Sequence, residues 1–317
     1  MTEFGYALSC EEHCPSELVE LARKAEQAGF EFGLISDHFH PWTDAQGESP
    51  FVWTVIGGIA QATERLRLGT GVTCPMIRIH PAIIAHAAAT SAAMMPGRFF
   101  LGVGTGEKLN EHVVGEGWPA PDERLEMLEE AIEVMRLLWQ GGEQTHRGNY
   151  YDVEQARLYT LPEEPVELAV AAAKPNAAEL AGRLGDAFIN TSPDAELLEM
   201  FDSAGKKGRP KYGQITMCWA SSEEEGAKTA CEIWPNAALG GDLSYELPRP
   251  AHFEQATENV TAEDIAEAIP CGPDPDRYLQ DIRAYEEAGY THIYFHQIGH
   301  DQDGFFRFWQ KELQPKL

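Results

Sequence analysis

Apolar residues along the chain follow two spacings in turn. Short runs dense in apolar and β-branched side chains occur at about 4–9 (Phe-Gly-Tyr-Ala-Leu-Ser), 32–36, 66–73 and 99–104, and again near 167–172, 187–190, 214–219 and 292–297. Their lengths and composition predict eight strands. Between them the apolar positions recur every three or four residues: Leu18, Leu21, Ala22 and Ala25 share a face within 16–28, and Leu125, Leu128, Ile132, Met135 and Leu138 share one within 122–139. The same spacing predicts helices over 81–94, 176–184, 195–204, 222–233 and 274–288. Strand followed by helix, almost throughout, implies parallel strands with crossover helices, and eight such strands predict a closed (β/α)8 TIM barrel.

Two stretches exceed ordinary loop length. Residues 104–121 are rich in Gly and Pro, and 235–262 follow Trp234-Pro235 and contain Pro248 and Pro250. In a barrel such excursions are expected as insertions at the C-terminal mouth, acting as lids or shaping a substrate pocket. With no internal repeat, low-complexity tract or linker in view, residues 1–317 are expected to form a single domain.

Charge narrows the choice of partner. The chain has 51 acidic residues against 24 basic ones and a formal net charge of −27, which repels nucleic acid and anionic membrane. Disorder is not the consequence, because 43% of residues are apolar and seven are Trp. Self-repulsion of this size is best tolerated where salt screens it, so a high-salt source is expected. The six cysteines are scattered and no apolar signal segment or membrane-length run is present, which predicts a cytoplasmic protein with reduced thiols. Cys10 and Cys14 lack a second Cys/His pair at matching spacing, so no structural zinc site is expected.

The densest chemistry lies at 35–42, Ile-Ser-Asp-His-Phe-His-Pro-Trp. An apolar strand ends there on an acid, two imidazoles and an indole, and the C-terminal end of a barrel strand is where catalytic groups sit. Pro41 disfavours helix at His40, so a loop can carry Asp37, His38 and Trp42 toward one cavity. His38 suits proton transfer near neutral pH. His38-Phe39-His40 also matches the alternate-residue spacing of metal hydrolases, but the strand tips at 171–175 and 190–193 supply no further ligand.

Residues 100–107 read Phe-Leu-Gly-Val-Gly-Thr-Gly-Glu, with Glu at 107 where a dinucleotide fingerprint requires Gly. A flexible turn that lets a flat ring or phosphate approach the backbone is the better reading, with Glu107 aimed at the mouth or starting a helix. Glu11, just beyond the first strand, is expected on the same barrel face. Tyr294-Phe295-His296-Gln297-Ile298-Gly299-His300-Asp301 reads as core aromatics followed by a polar loop.

Taken together, Ser36 to Trp42, Leu101 to Glu111 and Gly299-His300-Asp301-Gln302 resemble the luciferase-like superfamily, and within it the coenzyme F420-dependent glucose-6-phosphate dehydrogenase group. The similarity runs nearly end to end. It implies a dimeric (β/α)8 barrel that binds coenzyme F420 at the mouth and exchanges hydride with C5 of the deazaflavin ring. It implies His38 as the base toward the substrate hydroxyl, Trp42 and Glu11 as its supports, and Glu107 as the acid facing the cofactor. Asp37, Cys74, Thr105, Gly106, Ala172, Ala173 and Thr191 would bind the cofactor, and Gly71-Val72 matches a non-prolyl cis peptide against the ring; Lys174 replaces a family glycine near the expected cofactor phosphate, where it either pairs with that tail or is solvated.

Departures from the group bear on substrate. Asp194 stands where the sugar-phosphate enzymes have a phosphate-binding lysine, and 264–271 contain no arginine. The expected substrate is therefore a neutral polyol, sugar or secondary alcohol, or the matching carbonyl. A flavin-mononucleotide monooxygenase on the same barrel is the competing reading, and a barrel that only binds cofactor is a third.

Overall fold

The computed structural model describes residues 2–317. Eight parallel strands close into the expected barrel: β1 (Glu3–Leu8), β2 (Phe32–Ile35), β3 (Arg67–Thr70), β4 (Phe99–Val103), β7 (Glu167–Ala171), β8 (Ala187–Asn190), β9 (Lys211–Met217) and β10 (His292–Gln297). Closure is made by β1 pairing with both β2 and β10, Leu8 opposite Ile35 and Tyr6 opposite Phe295. The remaining strands, β5 (Gln144–Arg147) and β6 (Asp152–Ala156), form an antiparallel hairpin outside the barrel.

Alternation within each strand separates two cores. Phe32, Leu34, Phe100, Ala169, Ile189, Tyr212 and Tyr294 fill the barrel interior, while the larger apolar cluster lies between strands and helices. The interior holds its aromatic rings because small residues face them. A Cβ on Gly5 would sit 2.4 Å from the Phe32 ring, and one on Gly69 would sit 2.1 Å from Phe100.

Helices α1 (Pro15–Ala28), α3 (Pro81–Met94), α5 (Pro121–Trp139), α6 (Pro175–Leu184), α7 (Ala195–Ala204), α8 (Glu223–Ile233) and α12 (Pro275–Ala288) fall where periodicity placed them. Five of these begin on proline, whose fixed φ and missing N–H suit the first helical turn. Helix α2 (Val52–Ala62) was not predicted: Val52, Val55, Ile56, Ile59 and Ala60 do recur on one buried face, but Gly57-Gly58 at its centre weigh against a helix. The hairpin was also unforeseen, because its strands are mostly polar.

The segment 104–121 holds α4 (Lys108–Glu111) and a 3₁₀ turn. Within 235–262 lie α9 (Leu243–Glu246) and α10 (Pro250–Ala256), followed by α11 (Ala262–Ala268) and, at the end of the chain, α13 (Gln302–Phe308). The predicted strand 66–73 is shorter than expected. It stops at Thr70, the Gly71-Val72 peptide that follows is cis, and pairing resumes as a bridge between Thr73 and Val103. Among the described residues no helix is long and apolar enough to cross a membrane.

Candidate active site

A cavity of about 470 Å³ opens at the C-terminal ends of the barrel strands, and Glu11, His38, Trp42 and Glu107 all line it. The chain leaves β2 at Ile35 and crosses the mouth, carrying His38 to within 3.3 Å of Glu11, Nε2 to Oε1. His38 Nδ1 lies 3.1 Å from the His40 carbonyl oxygen and 3.1 Å from Asn110 Nδ2. A protonated ring therefore has an acceptor at each nitrogen. The Trp42 indole packs against the imidazole at 5.1 Å between centroids, its plane tilted by 54°.

Burial opposes ionisation of Glu11, but the His38 imidazole and a hydrogen bond from the Ser36 hydroxyl outweigh it and hold the carboxyl below its ordinary range. Ser9 donates a further bond to the same carboxylate oxygen at 3.1 Å. Glu107 immediately precedes α4 without capping it. Its Oε2 lies 3.4 Å from Asn110 Nδ2, so one amide links the two sides of the cavity. The other end of that amide is equally engaged: Asn110 Oδ1 accepts the backbone N–H groups of Phe39 and His40 at 2.9 and 3.2 Å.

Facing these groups is a wall with little side chain. Gly71, Val72, Thr105, Gly106, Ala172, Ala173, Lys174 and Thr191 line the cavity. A Cβ on Gly104 would come within 2.9 Å of Val72 Cγ2, and Gly106 has a φ of +68° with no room for a Cβ beside Cys74 Sγ. The result is a flat slot suited to a planar ring. Two of the predicted residues are placed differently. Asp37 does not line the cavity, because its carboxylate is taken by Arg78 Nη2 at 2.7 Å and by the Thr73 hydroxyl at 2.8 Å. Cys74 is buried beneath Gly106, where its sulfur packs under the turn instead of reaching the cavity.

The charged groups of the lining are Glu11, Glu107, Asp242 and Glu246 against Arg124 and Lys174. Both cations are paired, Lys174 with Asp242 at 2.6 Å and Arg124 with Glu246 at 3.4 Å. Asp194 lies outside the cavity lining and caps α7, accepting the N–H groups of Glu196 and Leu197. The long insertion reaches the site through Asp242, Tyr245 and Glu246, and through Phe253, whose ring meets Trp42 edge-on at 5.1 Å.

Sequence reading missed Asn110, Trp234, Tyr245 and His296. Only Asn110 carried a local signal, its i+3 spacing from Glu107. The segment 294–301 was expected to be core and loop, yet Tyr294 and His296 line the cavity. His40, the second half of the metal-like pair, turns its Nδ1 to the Leu109 carbonyl at 3.0 Å.

Comparison with known proteins agrees with this geometry. Residues 2–292 match the family described as luciferase-like monooxygenase. Relatives include the F420-dependent glucose-6-phosphate dehydrogenase of Nakamurella multipartita, 36% identical over 325 residues that cover 99% of this chain and 96% of the relative. That of Nocardia farcinica is 37% identical over 329 residues, covering 99% and 98%. Among solved structures, an F420-dependent secondary alcohol dehydrogenase in complex with an F420-acetone adduct superposes with a TM-score of 0.90 at 29% identity, over 99% of this chain and 98% of that one. The coenzyme F420-dependent tetrahydromethanopterin reductase of Methanopyrus kandleri shares the fold, with a TM-score of 0.80 at 19% identity over 99% of each chain. The chain belongs to the luciferase-like monooxygenase family.

Proposed function

We propose that this protein is a coenzyme F420-dependent oxidoreductase that moves hydride between a CH–OH carbon of a neutral alcohol, polyol or sugar and C5 of the deazaflavin. The observation that carries the reading is the Glu11–His38 pair, joined through Asn110 to Glu107 beside a slot walled by small residues. Gly71, Val72, Thr105, Gly106, Ala172, Ala173 and Thr191 are the residues to hold the ring, and Lys174, just before α6, is placed for a negatively charged tail. When bound, the deazaflavin supplies the hydride acceptor.

The chain supplies the proton chemistry. His38 takes the hydroxyl proton, and Glu11, at Nε2, and Trp42, beside the ring, stabilise the imidazolium that results. Glu107, across the cavity from His38 and hydrogen-bonded to Asn110, is the acid on the cofactor side. Asp37 acts from behind the wall, fixing Arg78 and Thr73.

Titrating apoprotein with F420 and with flavin mononucleotide while following fluorescence tests the reading. Quenching is expected with F420, and loss of its visible absorbance is expected once a suitable alcohol is added. Tight binding of flavin mononucleotide alone would favour the monooxygenase reading instead.

Neutral substrates are favoured because acidic groups outnumber the two cations of the lining, of which Arg124 is paired with Glu246 and Lys174 is assigned to the cofactor tail. Asp194→Lys is expected to leave turnover of glucose 6-phosphate unchanged, since the residue lies outside the cavity lining, and to lower stability by about 1 kcal/mol through loss of the α7 cap. Kinetics and thermal melts of the variant check both parts.

The reading extends to a homodimeric, cytoplasmic, single-domain protein from a high-salt environment. Helices α2 and α3 contain no Asp, Glu, Lys or Arg in a chain that is 24% charged, and Phe51, Ile83 and Met94 are exposed at this pair. A second copy of the chain is a fitting cover for that face, because an uncharged patch is the part of a −27 surface that repels its own copy least. Light scattering is expected to give a dimer that Ile83→Glu dissociates; a wild-type monomer would refute it. The same samples, melted in dilute buffer and in molar KCl, are expected to gain stability with salt.

A further inference from the structure

His296 plays no part in the proton chemistry above, yet it is 4% exposed and lines the same cavity. Residues 292, 294 and 296 of β10 point into the barrel by the period of two, which delivers the imidazole at the strand's C-terminal end. Its Nε2 lies 3.1 Å from Glu12 Oε1, and the other oxygen of Glu12 accepts the Gly299 N–H at 3.0 Å. Trp234 packs edge-on against the ring, 4.5 Å between centroids. The imidazole is thus clamped from two sides.

The clamp selects a tautomer. A carboxylate only accepts, so the ring proton sits on Nε2 and leaves Nδ1 with its lone pair. Nδ1 has no hydrogen-bond partner among the described residues and is not sealed from the cavity. Glu11 and Glu12 are consecutive, and each holds one of two histidines that line the cavity, His38 and His296. Uncharged polar side chains, among them Ser9, Gln214, Thr191 and Tyr245, share the lining.

We propose that His296 is a substrate-binding residue whose Nδ1 accepts a hydrogen bond from a second hydroxyl of the substrate, so that the enzyme selects polyhydroxylated alcohols, sugars or polyols, over simple secondary alcohols. The inference rests on the CH–OH oxidoreductase reading for what the first hydroxyl does. Glu12 is a positioning residue in this scheme. Gly299 N–H can only donate, so in Glu12→Gln the amide oxygen stays on Gly299 and the NH₂ group faces His296. That exchange moves the ring proton to Nδ1.

Nitrogen-15 labelling of the histidines in the apoprotein tests the binding step without any hydride transfer. The His296 resonance, identified by its loss in His296→Asn or by its tautomer change in Glu12→Gln, is expected to show an unprotonated Nδ1 that shifts on adding xylitol or D-glucose and not on adding 2-propanol. In the F420-loaded enzyme, His296→Phe is expected to raise KM for the polyol about tenfold more than for 2-propanol, with kcat changed less than about threefold. A protonated or unresponsive Nδ1, or equal losses on both substrates, overturns the proposal. If no alcohol of either kind reduces the cofactor, the oxidoreductase reading fails, and the Nδ1 shift alone then decides whether His296 binds a polyol.

Discussion

His38→Ala lowers kcat by about a thousandfold, the middle of the range for loss of a positioned general base, while F420 affinity stays within about threefold of the parent. The separation is expected because the ring slot is built from Gly71, Val72, Gly106, Ala172 and Ala173, none of which appears among the hydrogen-bond partners of His38. Fluorescence quenching reads the affinity, and loss of deazaflavin absorbance reads turnover. Full activity would remove His38 from the role of base. Unchanged activity together with weakened cofactor binding would place it in the ring site instead.

Asn110→Leu is expected to cost both stability and rate. Leucine of similar size leaves the backbone N–H groups of Phe39 and His40 without their acceptor, at about 0.5–1.5 kcal/mol each for these part-buried bonds. The segment that carries His38 then loses its anchor, and kcat falls about 10- to 100-fold from misplacement alone. Asn110→Asp separates the two effects. Its oxygen still accepts both N–H groups, so the melting temperature should recover, but the NH₂ group that faces His38 and Glu107 is gone and a carboxylate stands beside Glu107. Recovery of stability without recovery of rate supports the link between the two sides of the cavity, and recovery of both would reduce Asn110 to a structural residue.

Elements with a strong local period were legible along the chain. Strand β10 falls on its predicted residues, and α3 does too, because a run of buried apolar side chains and a proline at N1 are properties of consecutive residues. Helix α2 was not legible. Val52, Val55, Ile56, Ile59 and Ala60 share one face, but Gly57-Gly58 break the run with the residue type least suited to a helix interior. In the site, the grouping of Glu11, His38, Trp42 and Glu107 was accessible through motif resemblance, since each lies at or near a strand end. The orientation of Asp37 was not, because its partner Arg78 is 41 residues away in sequence.

What local sequence settles here is periodicity, helix starts, net charge and the kinds of chemical group delivered to the strand ends. Contacts between distant segments belong to the closed barrel. Closure brings Glu12 against His296, 284 residues apart, and Asn110 against His38, 72 apart. Closure also turned the Asp37 carboxylate away from the cavity, buried Cys74 under Gly106, and left Asp194 capping a helix outside the lining. The physical reason is that a hydrogen bond depends on ångström-scale distance and direction between two groups, and separation along the chain carries neither.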